Sequence, residues 1–328
     1  MPAKGVLGAC CGPRPAFYNH PMVQPPTPPS QTAPPASPIE VLEPASLSLP
    51  LVFASPHSGD HYSPEFVAMS ALELGALRKS EDCYVDELFG EAPALGAPLL
   101  RALYPRAFLD VNREAYELDP DMFAHPLPAF VNTTSARVAA GLGTIARIVA
   151  SRREIYRAKL SFADAEQRID SIYKPYHRAL RELISRAWDG FGFCILVDCH
   201  SMPSTGLPVD GDGAGRSIDI VLGDRGGMSC AAVVTDVIES TLTGQGYRVT
   251  RNNPYAGGYT TQHYGDPANG VHAIQIEINR AIYMDEMTLQ RRHAFNRLKA
   301  DINMVIGALS TLAAQQHQHL RHQRLSAE

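Results

Sequence analysis

Apolar residues in this chain fall into short compact runs separated by longer stretches of helical periodicity. Residues 49–55 form one such run, and Ser63 followed by Pro64 then supplies the N-cap and first-turn proline of a helix start. Residues 107–111 are strand-like, 136–150 and 162–188 carry helical periodicity, and Pro175 predicts a kink in the second of these. Residues 193–197 make a buried strand by length and β-branched content. Residues 219–222 make another, followed by a helix over 229–242. Residues 273–278 alternate strictly, and a long helix over 288–314 closes the pattern. Strands alternating with helices predict an α/β fold: a single domain whose mainly parallel, twisted sheet is covered by helices on both faces.

The ends of the chain break this pattern. Half of the 26 prolines lie within the first fifty residues, so 1–38 is expected to be a disordered Pro-rich leader before a domain over 39–312. His317, His319 and His322 sit among glutamines with no acidic or cysteine neighbour, so 313–328 reads as a flexible tail rather than a metal tract. A net charge of -5 gives no basic excess for gripping a phosphate backbone, which excludes nucleic acid as a partner. No apolar stretch approaches the roughly 20 residues of a membrane span. Six cysteines without a C-x-x-C pair point to a reducing, cytoplasmic setting.

Candidate chemistry gathers where the strands stop. The first apolar run ends at His57 and the central one at His200, each followed by serine. Ligands of open α/β sheets bind beyond the carboxyl ends of the strands, and two imidazoles there are the usual beginning of a zinc site. A catalytic zinc needs a third protein ligand, and the segment from Glu81 to Phe89 offers Asp82 and Asp86. Read as a helix with a Val85, Leu88, Phe89 core stripe, it points Asp82 inward; a helix N-terminal carboxylate is the competing reading. Glu277, flanked by isoleucines in the alternating strand, is a poorly solvated carboxyl whose pKa should rise toward neutrality, as suits a general base. An ion pair with Arg280 competes with that role. Asn112 with Arg113 offers an amide and a guanidinium fork for a carboxylate, and Arg106 is a second cation for a developing oxyanion. The glycine-flanked segment 257–265, carrying Tyr259 and Thr260, lacks phosphate-cradle spacing and reads as a mobile wall of the substrate pocket. Ser58 and Ser201 sit in no G-x-S-x-G elbow, and His177 reads as packing.

Taken in order, SPHSG at 55–59, EDCYVDELFG at 81–90, LDVNRE at 109–114, DCHSMPS at 198–204, NPYAGGYTTQHYG at 253–265 and HAIQIEINRAIYMDE at 272–286 resemble the N-formylglutamate amidohydrolase family. The resemblance spans roughly residues 36–305 and implies a zinc carboxypeptidase-like architecture. It implies one catalytic zinc on His57, Asp82 and His200, with Glu277 as proton shuttle. Asn112, Arg113, Tyr259 and Thr260 would bind a small N-acyl amino acid, and Arg106 would face the oxyanion. The implied reaction is hydrolysis of N-formyl-L-glutamate to formate and L-glutamate. The wider group places its acidic ligand three residues after the first histidine, at Asp60 here, so Asp60 and Asp86 stay open beside Asp82. Deacylation of another N-acyl amino acid, or a non-catalytic carboxylate-binding relative, are the rival functions.

Overall fold

The computed structural model describes residues 37–149, 151–205 and 217–325. Most of the expected leader and the last three residues therefore lie outside the described residues. The strands are β1 (Ile39–Leu42), β2 (Leu51–Ser55), β3 (Leu99–Ala102), β4 (Cys194–Met202), β5 (Ile220–Gly223), β6 (Val249–Arg251) and β7 (Val271–Asn279). They form one sheet in the order β1-β3-β2-β4-β7-β5-β6. The four central strands, β3, β2, β4 and β7, are mutually parallel, while β1 runs against β3, and β5, with β6 parallel to it, runs against β7. The helices are α1 (Pro64–Met69), α2 (Leu74–Arg78), α3 (Val85–Leu88), α4 (Ala136–Ala139), α5 (Phe162–Arg168), α6 (Lys174–Phe191), α7 (Ala232–Gly244), α8 (Tyr259–Tyr264) and α9 (Phe295–Leu325).

Strand alternation decides which helices cover which face. Leu51, Phe53, Ile195, Val197, Ile274, Ile276 and Ile278 point to the side packed by α3, α7 and α9. Val52, Ala54, Cys194, Leu196 and Ala273 point to the side packed by α6. Both faces are apolar, so the predicted α/β sheet with helices on both sides is the observed one, mixed at its edges. No helix among the described residues is long and apolar enough to cross a membrane.

Several predicted elements differ in extent. Residues 107–111 form no strand: the Asp110 carboxylate accepts the Asn112 N–H at 2.9 Å, a local bond that turns the chain. The adjacent strand is β3 instead. The helix expected over 136–150 is the single turn α4, with Gly141 at φ +75 after it. Pro175 has no N–H and its ring crowds the preceding turn; just ahead of it the helix widens over Ile169–Tyr173, where the Lys174 N–H reaches back to Ile169 O. The last helix starts at Phe295 rather than 288, because Asp285 caps the Met287 and Thr288 amides and Leu289 takes φ +59. It then runs past 314 to Leu325, and His317 joins Phe191 O through Nδ1 at 3.1 Å.

The exits of β2 and β3 are pressed together at Gly59, where a Cβ would stand 2.4 Å from Tyr104 O and 2.6 Å from Leu103 C. Backbone cannot yield as a side-chain tip can. Gly59→Ala is therefore expected to destabilise the fold by about 1–3 kcal/mol, read as a lowered urea midpoint at unchanged slope. A wild-type midpoint would show that the two exits are free to separate.

Candidate active site

Parallel strands deliver their carboxyl ends to one edge of the sheet, and the chemistry-bearing residues collect there. His57 follows β2, Arg106 follows β3, and His200 and Glu277 lie near the ends of β4 and β7. The serines after the histidines brace the site. Ser58 Oγ donates to Asp82 O at 3.2 Å and accepts the Asp86 N–H at 3.1 Å, while the Asp82 N–H donates to His57 O at 3.0 Å. Ser201 Oγ accepts from Arg280 Nε at 3.1 Å. Asp82 does point inward, for a different reason from the helical register: α3 begins only at Val85, after Tyr84 at φ +65. The backbone bond to His57 fixes its direction.

Asp82 Oδ2 lies 3.4 Å from His57 Nδ1 and 3.0 Å from His200 Nδ1, all three residues being buried. The far ring nitrogens face carboxylates, His57 Nε2 donating to Asp110 Oδ1 at 2.7 Å and His200 Nε2 to Asp198 Oδ2 at 3.0 Å. This is the arrangement of carboxylate–histidine–metal triads: with a cation bound, each Nε2 keeps its proton and each Nδ1 is free to offer its lone pair. His57 Nδ1 is buried and has no hydrogen-bond partner. Burying a polar atom unpaired is unfavourable, and a cation would satisfy it. The ligand atoms of His57, Asp82 and His200 lie within 4.8 Å of one another, so the trio could hold a metal ion. Asp60 is exposed and Asp86 is paired with Arg101 at 2.7 Å, so neither stands with the histidines.

The electrostatics agree with a cation-binding cluster. Burial opposes ionisation of Asp82, yet the neighbouring His200 and His57 imidazoles and the charge of Arg280 hold its carboxyl well below the usual range. Burial likewise disfavours the His200 imidazolium, but Asp198 and Asp82 raise its pKa well above the ordinary value. Glu277 is in register with His200 across β4 and β7 and points to the same face. Burial pushes its carboxyl up to about 7. Gln275 Oε1 accepts the Gly258 N–H at 2.6 Å, which turns its Nε2 onto Glu277 Oε1 at 2.6 Å. A cavity of about 240 Å³ opens over this edge, lined by Arg106, Asp110, Arg113, Tyr255, Glu277 and Arg280 among others.

The expected Asn112–Arg113 clamp is divided. Asn112 is buried with its amide committed: Oδ1 accepts the Thr260 N–H at 2.7 Å and Nδ2 donates to Asp198 Oδ2 at 3.0 Å. Arg113 does line the cavity, but Nε and Nη1 are held by Leu142 O and Asn112 O at 2.9 and 2.7 Å. The expected mobile wall is instead helical, as α8. Thr260 is fully buried, and Tyr259 stacks on His263, so neither is among the residues that line the cavity. His177 is packing: it bonds Val111 O at 2.8 Å, and burial pushes its pKa down to about 4. Asp110, Asp198 and Gln275 were not singled out from the sequence. Two carried a signal, since Asp198 precedes His200 and Gln275 precedes Glu277 by two residues, one strand period, on the same face.

Comparison with known proteins agrees with this geometry. Residues 49–284 match the family model for N-formylglutamate amidohydrolase. The chain is 31% identical to the N-formylglutamate deformylase of Pseudomonas aeruginosa over 242 residues, 73% of this chain and 83% of that protein. It is 30% identical to the enzyme of that name from Pseudomonas putida over 241 residues, with the same coverage of both chains. The crystal structure of N-formylglutamate amidohydrolase from Ralstonia eutropha superposes with a TM-score of 0.80 at 34% identity, over 85% of this chain and 99% of that one. An Agrobacterium tumefaciens gene product shares the fold at a TM-score of 0.59 and 16% identity, over 84% and 96% of the two chains. A site of two buried imidazoles, a carboxylate and a facing glutamate, on a chain matched this widely, places the protein in the N-formylglutamate amidohydrolase family of hydrolases.

Proposed function

We propose that this chain hydrolyses the amide bond of N-formyl-L-glutamate, giving formate and L-glutamate, with one zinc ion held by His57, Asp82 and His200. The observation that carries the reading is the pairing of the His57, Asp82, His200 cluster with a buried Glu277 in register beside it. Two imidazoles and a carboxylate suit zinc. The names of the Pseudomonas and Ralstonia relatives supply the substrate. A cytoplasmic setting goes with this reading, supported by the four described cysteines, all buried free thiols.

When bound, the ion supplies Lewis-acid polarisation of the formyl carbonyl and eases deprotonation of water at neutral pH. The protein's own groups do the rest. Glu277 has Oε1 tied to Gln275, so Oε2 takes the proton of the attacking water and returns it to the departing amine nitrogen. Arg106, whose Nε and Nη1 have no hydrogen-bond partner among the described residues, stabilises the charge that grows on the carbonyl oxygen. Arg113 offers its remaining Nη2 to a substrate carboxylate. Asn112 donates to the same Asp198 oxygen that accepts from the His200 ring, and so acts on the site through Asp198.

Asp82→Ala is expected to abolish bound metal in elemental analysis, while Asp60→Ala and Asp86→Ala retain it. Metal loss in the Asp60 variant alone would move the third ligand there. Because Asp198 and Asp82 raise the His200 pKa and so favour its protonated form without metal, loading the ion is expected to release protons, and affinity to fall as pH falls. Titration calorimetry in two buffers of different ionisation enthalpy measures that release; equal heats after buffer correction for zero protons would contradict it.

Glu277→Gln is expected to keep its metal and lose about 10²–10⁴-fold in kcat. A general base works ionised, so wild-type kcat/KM falls as pH drops through the Glu277 pKa. That value is about 7 without metal and lower beside the ion's positive charge. A Glu277→Gln profile with the same acid limb would assign that limb to another group.

A further inference from the structure

The cavity carries more donor capacity than the described residues satisfy. Arg280 has each of its nitrogens engaged: Nε meets Ser201 Oγ at 3.1 Å, Nη1 meets Lys79 O at 3.0 Å, and Nη2 meets Asp82 Oδ1 at 2.8 Å. Arg113 has only Nη2 left, 3.4 Å from Asp110 Oδ2. Arg106 spends one nitrogen on Asp110, at 2.7 Å, and keeps two. These spare donors of Arg106 and Arg113 flank one carboxylate and form a single locus.

Lys79 is a second locus. It lines the 240 Å³ cavity and, with Pro203 and Arg280, also lines an adjoining cleft of about 500 Å³. Arg280 holds its carbonyl, but its ammonium has no hydrogen-bond or ion-pair partner among the described residues. Other cations of that cleft are engaged, Arg78 by Glu81 at 3.0 Å and Arg292 by Ala281 O at 3.0 Å. The lining of one cavity therefore includes Lys79 as well as the Arg106 and Arg113 pair, and the Lys79 residue is half-buried, where a charge pair is less screened than on open surface.

We propose that Lys79 receives a second carboxylate, that of an acidic side chain, so that the site selects N-acyl derivatives of a dicarboxylic amino acid over those of the matching amide. This rests on the amidohydrolase reading above and adds to it a determinant for the distal end of the substrate. The first carboxylate goes to Arg113 and Arg106. Replacing the distal carboxylate by an amide removes the charge Lys79 complements, and a charged hydrogen bond of this kind corresponds to about 10- to 100-fold in specificity.

The test compares N-formyl-L-glutamate with N-formyl-L-glutamine on wild type, Lys79→Met and Lys79→Arg, alongside calorimetric binding of glutarate, which has two carboxylates and no bond to cut. Wild type should prefer the glutamate compound by about 10- to 100-fold; Lys79→Met should bring the ratio toward one through KM, and Lys79→Arg should restore most of it. Glutarate binding should weaken about tenfold or more in Lys79→Met. A wild type without preference, a Lys79→Met variant that keeps wild-type preference and glutarate affinity, or a wild type that binds no glutarate overturns the assignment. A wild type that cleaves neither formyl compound, yet loses glutarate affinity on Lys79→Met, overturns the reaction and leaves the Lys79 place standing.

Discussion

A carboxylate and two imidazoles shut away from water at the end of a sheet dictate what must surround them. Asp82 cannot stay ionised there without donors, and it has them in His200 and Arg280. Each imidazole then needs an acceptor for its second nitrogen, which brings in Asp110 and Asp198. Those buried carboxylates need donors in turn, and Arg106, Arg113 and Asn112 supply them. Asn112 satisfies its own oxygen with the Thr260 amide, and so α8 has to lie where it does. One buried charge thus propagates through more than a hundred and fifty residues of sequence as a series of satisfied polar groups.

The sheet makes that series possible. Four parallel neighbours, β3, β2, β4 and β7, end at one edge, and each contributes a functional side chain from its exit or last residues. Strand alternation lets the same strand serve two purposes. Val197 and Cys199 fill the core toward α9 while Asp198 and His200 build the site on the opposite side, and Ile276 and Ile278 stand in the same relation to Gln275 and Glu277. A buried parallel sheet tolerates polar residues on its inner face only where they are mutually bonded, which is the condition met here.

Strand periodicity made part of this legible beforehand. The alternation at 273–278 placed Glu277 off the isoleucine face, and the two apolar runs ending in histidine located the catalytic edge. Both are local patterns with one physical meaning. What could not be read depended on partners far away in sequence. Asp82 was aimed correctly but through a supposed helix, because its bond to His57 O joins segments 25 residues apart. Asn112 looked like free hardware for a substrate, since nothing local announces that Asp198 and Thr260 will occupy both ends of its amide. The segment at 107–111 had strand composition, and a single side-chain bond from Asp110 was enough to bend it.

The start of helix α8 sets two amides against this network, that of its N-cap Gly258 on Gln275 and that of Thr260 on Asn112, and a Cβ at Gly258 would stand only 2.8 Å from the Asn112 amide. The helix is thereby keyed to both the imidazole and the glutamate, and any shift of it would move both together. Tyr255 and Pro203, which also line the cavity, make no side-chain hydrogen bond to this network among the described residues. Substitutions can accumulate at such positions, and the range of accepted substrates can drift, while the groups that break the bond are held in place by their own hydrogen bonds.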